Sequence, residues 1–183
     1  MIDLTLRLHR KARIWLNESA PFAFRADGTM KHTFTETERH EQKSLSIAIE
    51  VLIPKGARFA YGALGGRFVS GETGELRVSV GITSNNGAQL GNSLASLLDD
   101  VRIGLPEEYG KGVVEGVSNV HSELGGLPSG ELYFEQAAYG EIGSSKSVFR
   151  ELGCTITKLV SLKNIDLTEQ ELTQFLDASL TNV

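Results

Sequence analysis

Apolar residues alternate with polar ones along the first sixteen residues of the chain. They fall at even positions, namely Ile2, Leu4, Leu6, Leu8, Ala12, Ile14 and Leu16. A period of two is typical of β-strands, so this run predicts one bent strand or two successive strands. Arg10 breaks the pattern at the point where we expect a bulge or a turn.

The other face of this predicted strand is basic. It carries Arg7, His9, Lys11, Arg13 and Trp15. Positive charge interleaved with an aromatic side chain is suited to single-stranded nucleic acid, although a plain solvent-exposed sheet face has the same pattern. The sequence therefore gives the hypothesis that this basic face contacts single-stranded nucleic acid.

Two further alternating runs predict strands, one from Leu45 to Ile53 and one from Leu76 to Ile82. Residues 17–30 predict a loop, and Met30 to Glu38 predict a short polar strand. Asn85-Asn86-Gly87 predicts a turn.

Residues 56–74 are rich in glycine and predict a mobile loop that stacks on or clamps a ligand, with a long hairpin connection as the alternative. Together with the basic face, this segment completes our candidate contacts for nucleic acid or another partner: Arg7, Lys11, Arg13, Trp15, Arg58, Tyr61 and Arg67.

Helical periodicity is clear in the second half of the chain. It predicts helices over 107–121, 145–161 and 169–180, with a strand over 131–139 between the first two. The predicted fold class is α+β, with an antiparallel or mixed sheet, helices packed on one face and a C-terminal helix.

Local signals mark the ends of these helices. Ser144 or Ser145 is expected to cap the second helix, and Thr168 with Glu171 forms a capping-box pattern at the third. The first helix contains Gly110, Gly112 and Gly116. Because glycine lowers helix stability by up to about 1 kcal/mol relative to alanine, we expect close packing against a sheet to hold this helix.

Short motifs in this half occur in the order and near the spacing of a known family. They are Leu105-Pro106-Glu107-Glu108-Tyr109 with Gly116-Val117, then Gly126-Leu127-Pro128, then Ser144-Ser145 with Val148-Phe149. Over roughly residues 74–161 the chain resembles domain IV of elongation factor G. Gly143 stands where that family usually has an aspartate, and Gly65-Gly66-Arg67 only partly resembles its glycine-rich segment.

The resemblance implies a left-handed β-α-β crossover, against the usual rule of hand. In the translation factor, domain IV reaches into the ribosomal decoding region beside RNA. The resemblance includes no G domain, so we do not expect this chain to power translocation. Fold and function remain separate questions.

The length of 183 residues predicts a single domain. We divide it into a strand-rich part with the glycine-rich loop (1–73), the part that resembles domain IV (74–161) and the C-terminal helix (162–183). The formal net charge of −5 leaves only a local basic face for phosphate contact.

The cysteine and hydropathy patterns indicate a cytoplasmic protein. Cys154 is the only cysteine, so no internal disulfide can form. No apolar run approaches the length of about 18 residues that a membrane helix needs, so no membrane partner is expected.

The sequence offers no clear catalytic centre. Residues 140–147 come close to a phosphate-binding P-loop, but Ser145 replaces its second glycine. The four histidines are scattered and match no metal-ligand motif. We expect no cofactor, no metal and no catalytic residue.

Three functional hypotheses remain open. The first is a non-catalytic interaction module whose partner is the ribosome, RNA or a protein. The second is an enzyme of unknown reaction that shares only the fold. The third is a single-strand nucleic-acid binder that uses the basic face, with Arg7, Lys11 and Arg13 supplying most phosphate contacts and Lys111 and Lys146 supplying few.

Overall fold

The computed structural model describes residues 1–35, 44–84, 87–162 and 165–181. These residues form one mixed sheet of eight strands with three helices, which confirms the α+β class. The strands are β1 (Ile2–Thr5), β2 (Lys11–Leu16), β3 (Gly28–Phe34), β4 (Ser44–Lys55), β5 (Arg58–Ser70), β6 (Leu76–Ile82), β7 (Val101–Ile103) and β8 (Gly130–Gly140). The helices are α1 (Glu107–Leu124), α2 (Lys146–Val160) and α3 (Glu169–Ser179).

The sheet has the order β1-β2-β4-β5-β8-β6-β3, with β7 paired to the end of β8. All pairs are antiparallel except β6 and β8, which are parallel and are joined through α1. This is the β-α-β crossover that the sequence resemblance implies; its left hand stays a prediction. Because β5 pairs with β8, strands from both halves of the chain share the sheet.

The two N-terminal strands are confirmed. A 3₁₀ turn at Arg7–His9 separates β1 from β2, which places the interruption beside Arg10 as expected. Strand β3 begins at Gly28, slightly earlier than expected. Residues 36–38 of that predicted strand, and Asn85-Asn86 of the predicted turn, lie outside the described residues.

The prediction of a glycine-rich loop over 56–74 is wrong, because most of this segment is the long central strand β5. Its glycines make room for α2. A Cβ atom on Gly62 would lie 2.7 Å from Val148 Cγ1, and one on Gly66 would lie 3.0 Å from Ile156 Cγ2. Tertiary packing thus decides the structure of a segment whose local composition is typical of a loop.

The sheet has a core on each face. The larger core lies between the sheet and the helices. On the other face, a smaller cluster contains Trp15, Phe22, Tyr61, Leu90 and Ala95, so segments 20–22 and 90–95 cover this part of the sheet. The described residues leave the part of that face around Arg67 and Tyr133 uncovered.

The helix caps agree with the sequence. Ser145 accepts a hydrogen bond from the Val148 N–H at the start of α2, and the Thr168–Glu171 capping box is present at α3. The expected packing of the α1 glycines is only partly correct. Gly110 faces the sheet, whereas Gly112 and Gly116 lie against the backbone of α2.

We predict that Gly116→Ala lowers the free energy of unfolding by about 1–3 kcal/mol, because overpacking at a close helix contact forces the backbones apart. An added Cβ would lie 2.3 Å from the Arg150 carbonyl oxygen. Urea unfolding measures the change. Gly91→Ala is the matched control, since nothing lies within 4 Å of its Cβ position. Equal losses in the two variants would contradict the close-contact explanation.

Candidate functional site

One end of the sheet gathers several chain connections. β1, β4 and β8 finish there, and β2 and β5 begin there, as the pairs Thr5–Lys11, Lys55–Arg58 and Ala63–Ala138 show. The β1–β2 turn, the β4–β5 hairpin and the β8–α2 turn therefore lie side by side. Since β2 and β8 are three strand spacings apart, these connections span about 14 Å.

Basic side chains converge at this end. We call it the basic end and define it by five exposed residues from two of the connections, Arg7, His9, Lys11, Lys55 and Arg58. Segments 7–11 and 54–58 contain no acidic residue. Within the part of the chain that the structure describes, only Arg7 of these five forms an ion pair, with Nε 3.8 Å from Asp177 Oδ2.

The helix layer is electrostatically different. Each of its lysines and arginines lies beside a carboxylate, in the pairs Lys111–Glu107, Lys146–Glu115, Arg150–Glu151 and Lys158–Glu123. Approach of a phosphate would have to compete with these carboxylates. The helix layer is therefore a poor surface for a polyanion, and the basic end is a better one.

Arg10 fixes the β1–β2 turn onto the end of α3. Its guanidinium donates to the Leu180 carbonyl at 3.0 Å and to Asp177 Oδ1 at 2.6 Å. The Arg7 backbone N–H donates to the same carboxylate oxygen at 2.9 Å. Carbonyls in the last turn of a helix lack intrahelical partners, so a buried arginine there satisfies them and complements the helix dipole.

The turn itself has an unusual backbone. Leu8 has φ 58° and ψ 34°, and His9 has φ 59°, so two consecutive residues with side chains are left-handed. The Leu8 side chain is 84% exposed. A groove of about 570 Å³ with a mostly apolar surface separates this turn from α3; it is lined by Arg7, Leu8, Arg10, Gln174, Asp177, Ala178 and Thr181.

Three of the residues predicted for contact are engaged in internal contacts instead: Trp15 and Tyr61 are buried, and Arg13 is partly buried. Arg13 donates to the Asn92 carbonyl at 2.8 Å and to Asp3 Oδ1 at 2.9 Å, and its Nη1 is 3.4 Å from Glu50 Oε2. Trp15 is buried and packs edge-on against Phe22, with ring centroids 5.4 Å apart.

Tyr61 is the third of these residues, and it is fully buried. Its hydroxyl donates to Glu50 Oε1 at 2.9 Å, and the Leu94 N–H donates to the same oxygen at 2.8 Å. With Arg13, these contacts hold segment 92–94 onto the sheet. The three residues support the fold behind the basic end.

Burial raises the pKa of the Glu50 carboxyl, and the donors Leu94, Tyr61 and Arg13 oppose that rise. Burial and the neighbouring Glu50 also raise the pKa of the Tyr61 hydroxyl. A carboxyl whose folded-state pKa is raised contributes stability at acidic pH and loses that contribution as pH rises through the raised value.

We therefore predict that Glu50→Gln becomes more stable relative to the unaltered protein as pH rises from about 4 to 7, because glutamine resembles the protonated carboxyl. The difference in melting temperature between the two proteins, measured across this range, tests the sign. The opposite slope would mean that the three donors outweigh burial and hold the pKa below its usual value.

Arg67 lies away from the basic end, on the open part of the sheet. Arg67 is nine positions after Arg58 on β5, a distance of roughly 30 Å along a strand. Its guanidinium carbon lies 4.6 Å from the centre of the Tyr133 ring. A polar groove of about 300 Å³ on this face contains both Arg77 and Glu131, so its charges are mixed.

The P-loop-like segment 140–147 is occupied by the chain's own carboxylate. Asp99 accepts hydrogen bonds from the Gly143 N–H at 2.8 Å and the Ile142 N–H at 3.1 Å. These are the kind of backbone amides with which a P-loop binds phosphate. Lys146 meanwhile pairs with Glu115.

We predict that Ser145→Gly, which restores the P-loop pattern, creates no ATP or GTP binding, because Asp99 still fills the amides. Equilibrium dialysis with each nucleotide measures this. Micromolar affinity in either the variant or the unaltered protein would contradict the prediction.

The structure thus separates the seven candidate contacts into three groups. Arg7, Lys11 and Arg58 lie at the basic end, Arg13, Trp15 and Tyr61 are engaged in contacts within the fold, and Arg67 is on the uncovered part of the sheet. Sequence reasoning missed Lys55 and Leu8. Lys55 and Arg58 flank Gly56, which is a signal for a tight hairpin, but the loop prediction for 56–74 included this glycine. Leu8 fitted the apolar alternation of residues 2–16, which predicted a buried side chain, whereas the side chain is exposed.

The described residues show neither a metal site nor a membrane-spanning helix, and known proteins do not assign this chain to a family. Among the described residues, no three His, Cys, Asp or Glu side chains are grouped to hold a metal ion. None of the helices in the described ranges has the length and hydropathy of a membrane-spanning segment. Comparison with protein-family models, curated proteins and solved structures found no match.

Proposed function

We propose that this protein is a non-catalytic binding module that contacts RNA, free or in the ribosome, through its basic end. The observation that carries the proposal is the convergence of exposed cations from two connections at one end of the sheet. Lys11, Lys55 and Arg58 have no ion-pair partner within the described chain, so phosphate oxygens would not have to displace a carboxylate there.

The charge balance predicts weak association. The whole chain carries a formal net charge of −5, so long-range attraction to a polyanion is small and binding depends on local contacts. Each phosphate contact contributes about −0.7 to the logarithmic salt slope for a single strand, so three contacts give a slope of about −2. This dependence is shallow compared with dedicated nucleic-acid binders.

The resemblance to domain IV of elongation factor G supports the same class of partner, since that domain lies beside RNA in the ribosome. The contact surface would differ. The cations of residues 107–158 are paired with carboxylates, whereas the basic end belongs to residues 7–58. Arg13 is committed to Asp3, Glu50 and Asn92, so Lys55 and Arg58 are better candidates for phosphate contact than Arg13.

We predict that the triple substitution Lys11→Gln, Lys55→Gln and Arg58→Gln removes most binding to ribosomes and to single-stranded RNA. Co-sedimentation and fluorescence anisotropy at several salt concentrations measure the loss, and the salt slope should fall by about 2. The matched control replaces Lys111, Lys146 and Lys158 by glutamine. It changes the net charge equally but removes cations that already have partners.

Three results would overturn the proposal. One is equal loss of binding in the two triple variants, which would indicate a nonspecific charge effect. Another is unchanged binding in the first variant. The last is failure of the unaltered protein to bind RNA near physiological salt, in which case a protein partner becomes the better reading.

A further inference from the structure

We infer that the groove between the β1–β2 turn and α3 receives an unpaired nucleobase, so that the RNA ligand is single-stranded at this point. The inference rests on the proposed function, because the groove opens at the edge of the basic end. Leu8 forms one wall of the groove, and Ala178, with Gln174 one helical turn earlier, forms the other.

The backbone conformation and exposure of Leu8 indicate that its side chain makes its contacts outside this chain. A left-handed conformation is costly for residues with a branched or bulky side chain, and glycine or asparagine would adopt it more easily. Leu8 is 84% exposed, so its side chain gains little burial in return. Arg10 and Asp177 hold the turn in this conformation without any packing of the Leu8 side chain, and strained residues of this kind cluster at ligand-contact sites.

The chemistry of the groove indicates what Leu8 contacts. Its surface is mostly apolar, which suits a flat, weakly hydrated ring. Gln174 is exposed beside it and offers both an amide donor and a carbonyl acceptor, which can read the edge of a base. Arg7, His9 and Lys11 are exposed around the turn, and the carboxylate of Asp177 in the groove lining already pairs with Arg7 and Arg10. A nucleobase on its phosphate backbone matches the apolar groove surface, the Gln174 amide and the exposed cations.

A single strand fits these features better than a duplex. In an RNA duplex the bases are stacked and paired, so only phosphates, 2′-hydroxyls and base edges are accessible. In a single strand the faces of the bases are free to pack against side chains. Cations alone would bind both forms, whereas an apolar groove adds affinity only for an unstacked base.

Two variants test the groove without touching Lys11, Lys55 or Arg58. Leu8→Gly removes the wall and relieves the left-handed strain, so its melting temperature should equal or exceed that of the unaltered protein. Ala178→Trp fills the groove from the exposed face of α3. Each should lower affinity for a fluorescein-labelled single-stranded RNA about fivefold, and neither should change affinity for a duplex of the same sequence.

Leu124→Ser is the matched control, because Leu124 is also an exposed leucine but lies at the far end of α1. It should leave both affinities unchanged. A decrease in single-strand affinity in Leu8→Gly, with stability retained, cannot come from loss of folding.

The outcomes separate this inference from the proposed function. If Leu8→Gly and Ala178→Trp bind the single strand normally while the cation triple variant does not, the groove inference fails and the basic end stands. If the unaltered protein binds duplex as tightly as single strand, the inference also fails. If it binds no RNA, both fail. Groove-dependent binding of a labelled acidic peptide in that case would assign the groove to a protein partner.

Discussion

Helix α2 lies closer to its neighbours than ordinary side chains would allow, and the arrangement of the molecule depends on this approach. Gly62 and Gly66 of β5 lie beneath it, and Gly112 and Gly116 of α1 lie beside it. On α2 itself, a Cβ at Gly153 would lie 2.8 Å from the Val113 carbonyl oxygen. Close packing of this kind maximises dispersion contacts and fixes the two long helices as one layer against the sheet.

Both long helices pack on one face of the sheet. The candidate site and the covering segments therefore lie on the opposite face and at the end of the sheet. The face opposite the helices is partly covered by segments 20–22 and 90–95. It also contains the ion pair between Arg13 and the buried Glu50. The helix layer keeps its cations neutralised by neighbouring carboxylates. At one end of the sheet, Lys11, Lys55 and Arg58 have no ion-pair partner among the described residues, so an acidic protein can still present a local cationic surface there.

Local sequence signals predicted the helices and their caps well. The Thr168–Glu171 box and the Ser145 cap depend on residues a few positions apart. The local sequence is therefore enough to predict where these helices begin. Strand β5 could not be predicted in this way. Gly62 and Gly66 are explained by Val148 and Ile156, about ninety residues later, and only the tertiary contact shows that they are needed.

The candidate site was only partly predictable, because it too depends on contacts between distant parts of the chain. Alternation predicted one strand face for Arg7, Arg13 and Trp15, but it gave no sign that Arg7 lies in a turn or that Arg13 donates to the Asn92 carbonyl. The convergence of Lys11 with Lys55 and Arg58 depends on the register of β2 with β4 and of β4 with β5. Register is a property of the assembled sheet, so the site becomes visible only with it.

The attachment of α3 has a consequence for how the molecule responds to a ligand. This helix contacts α2 and β1, and Arg10 joins its C-terminal turn to the β1–β2 connection. The groove exists only while α3 is docked, since the helix supplies one wall. In the proposed function, any fraction of molecules with α3 detached would lower the apparent affinity at the groove, and a bound ligand would in turn favour the docked helix. The C-terminal helix would then serve both as a structural element and as one wall of the binding site.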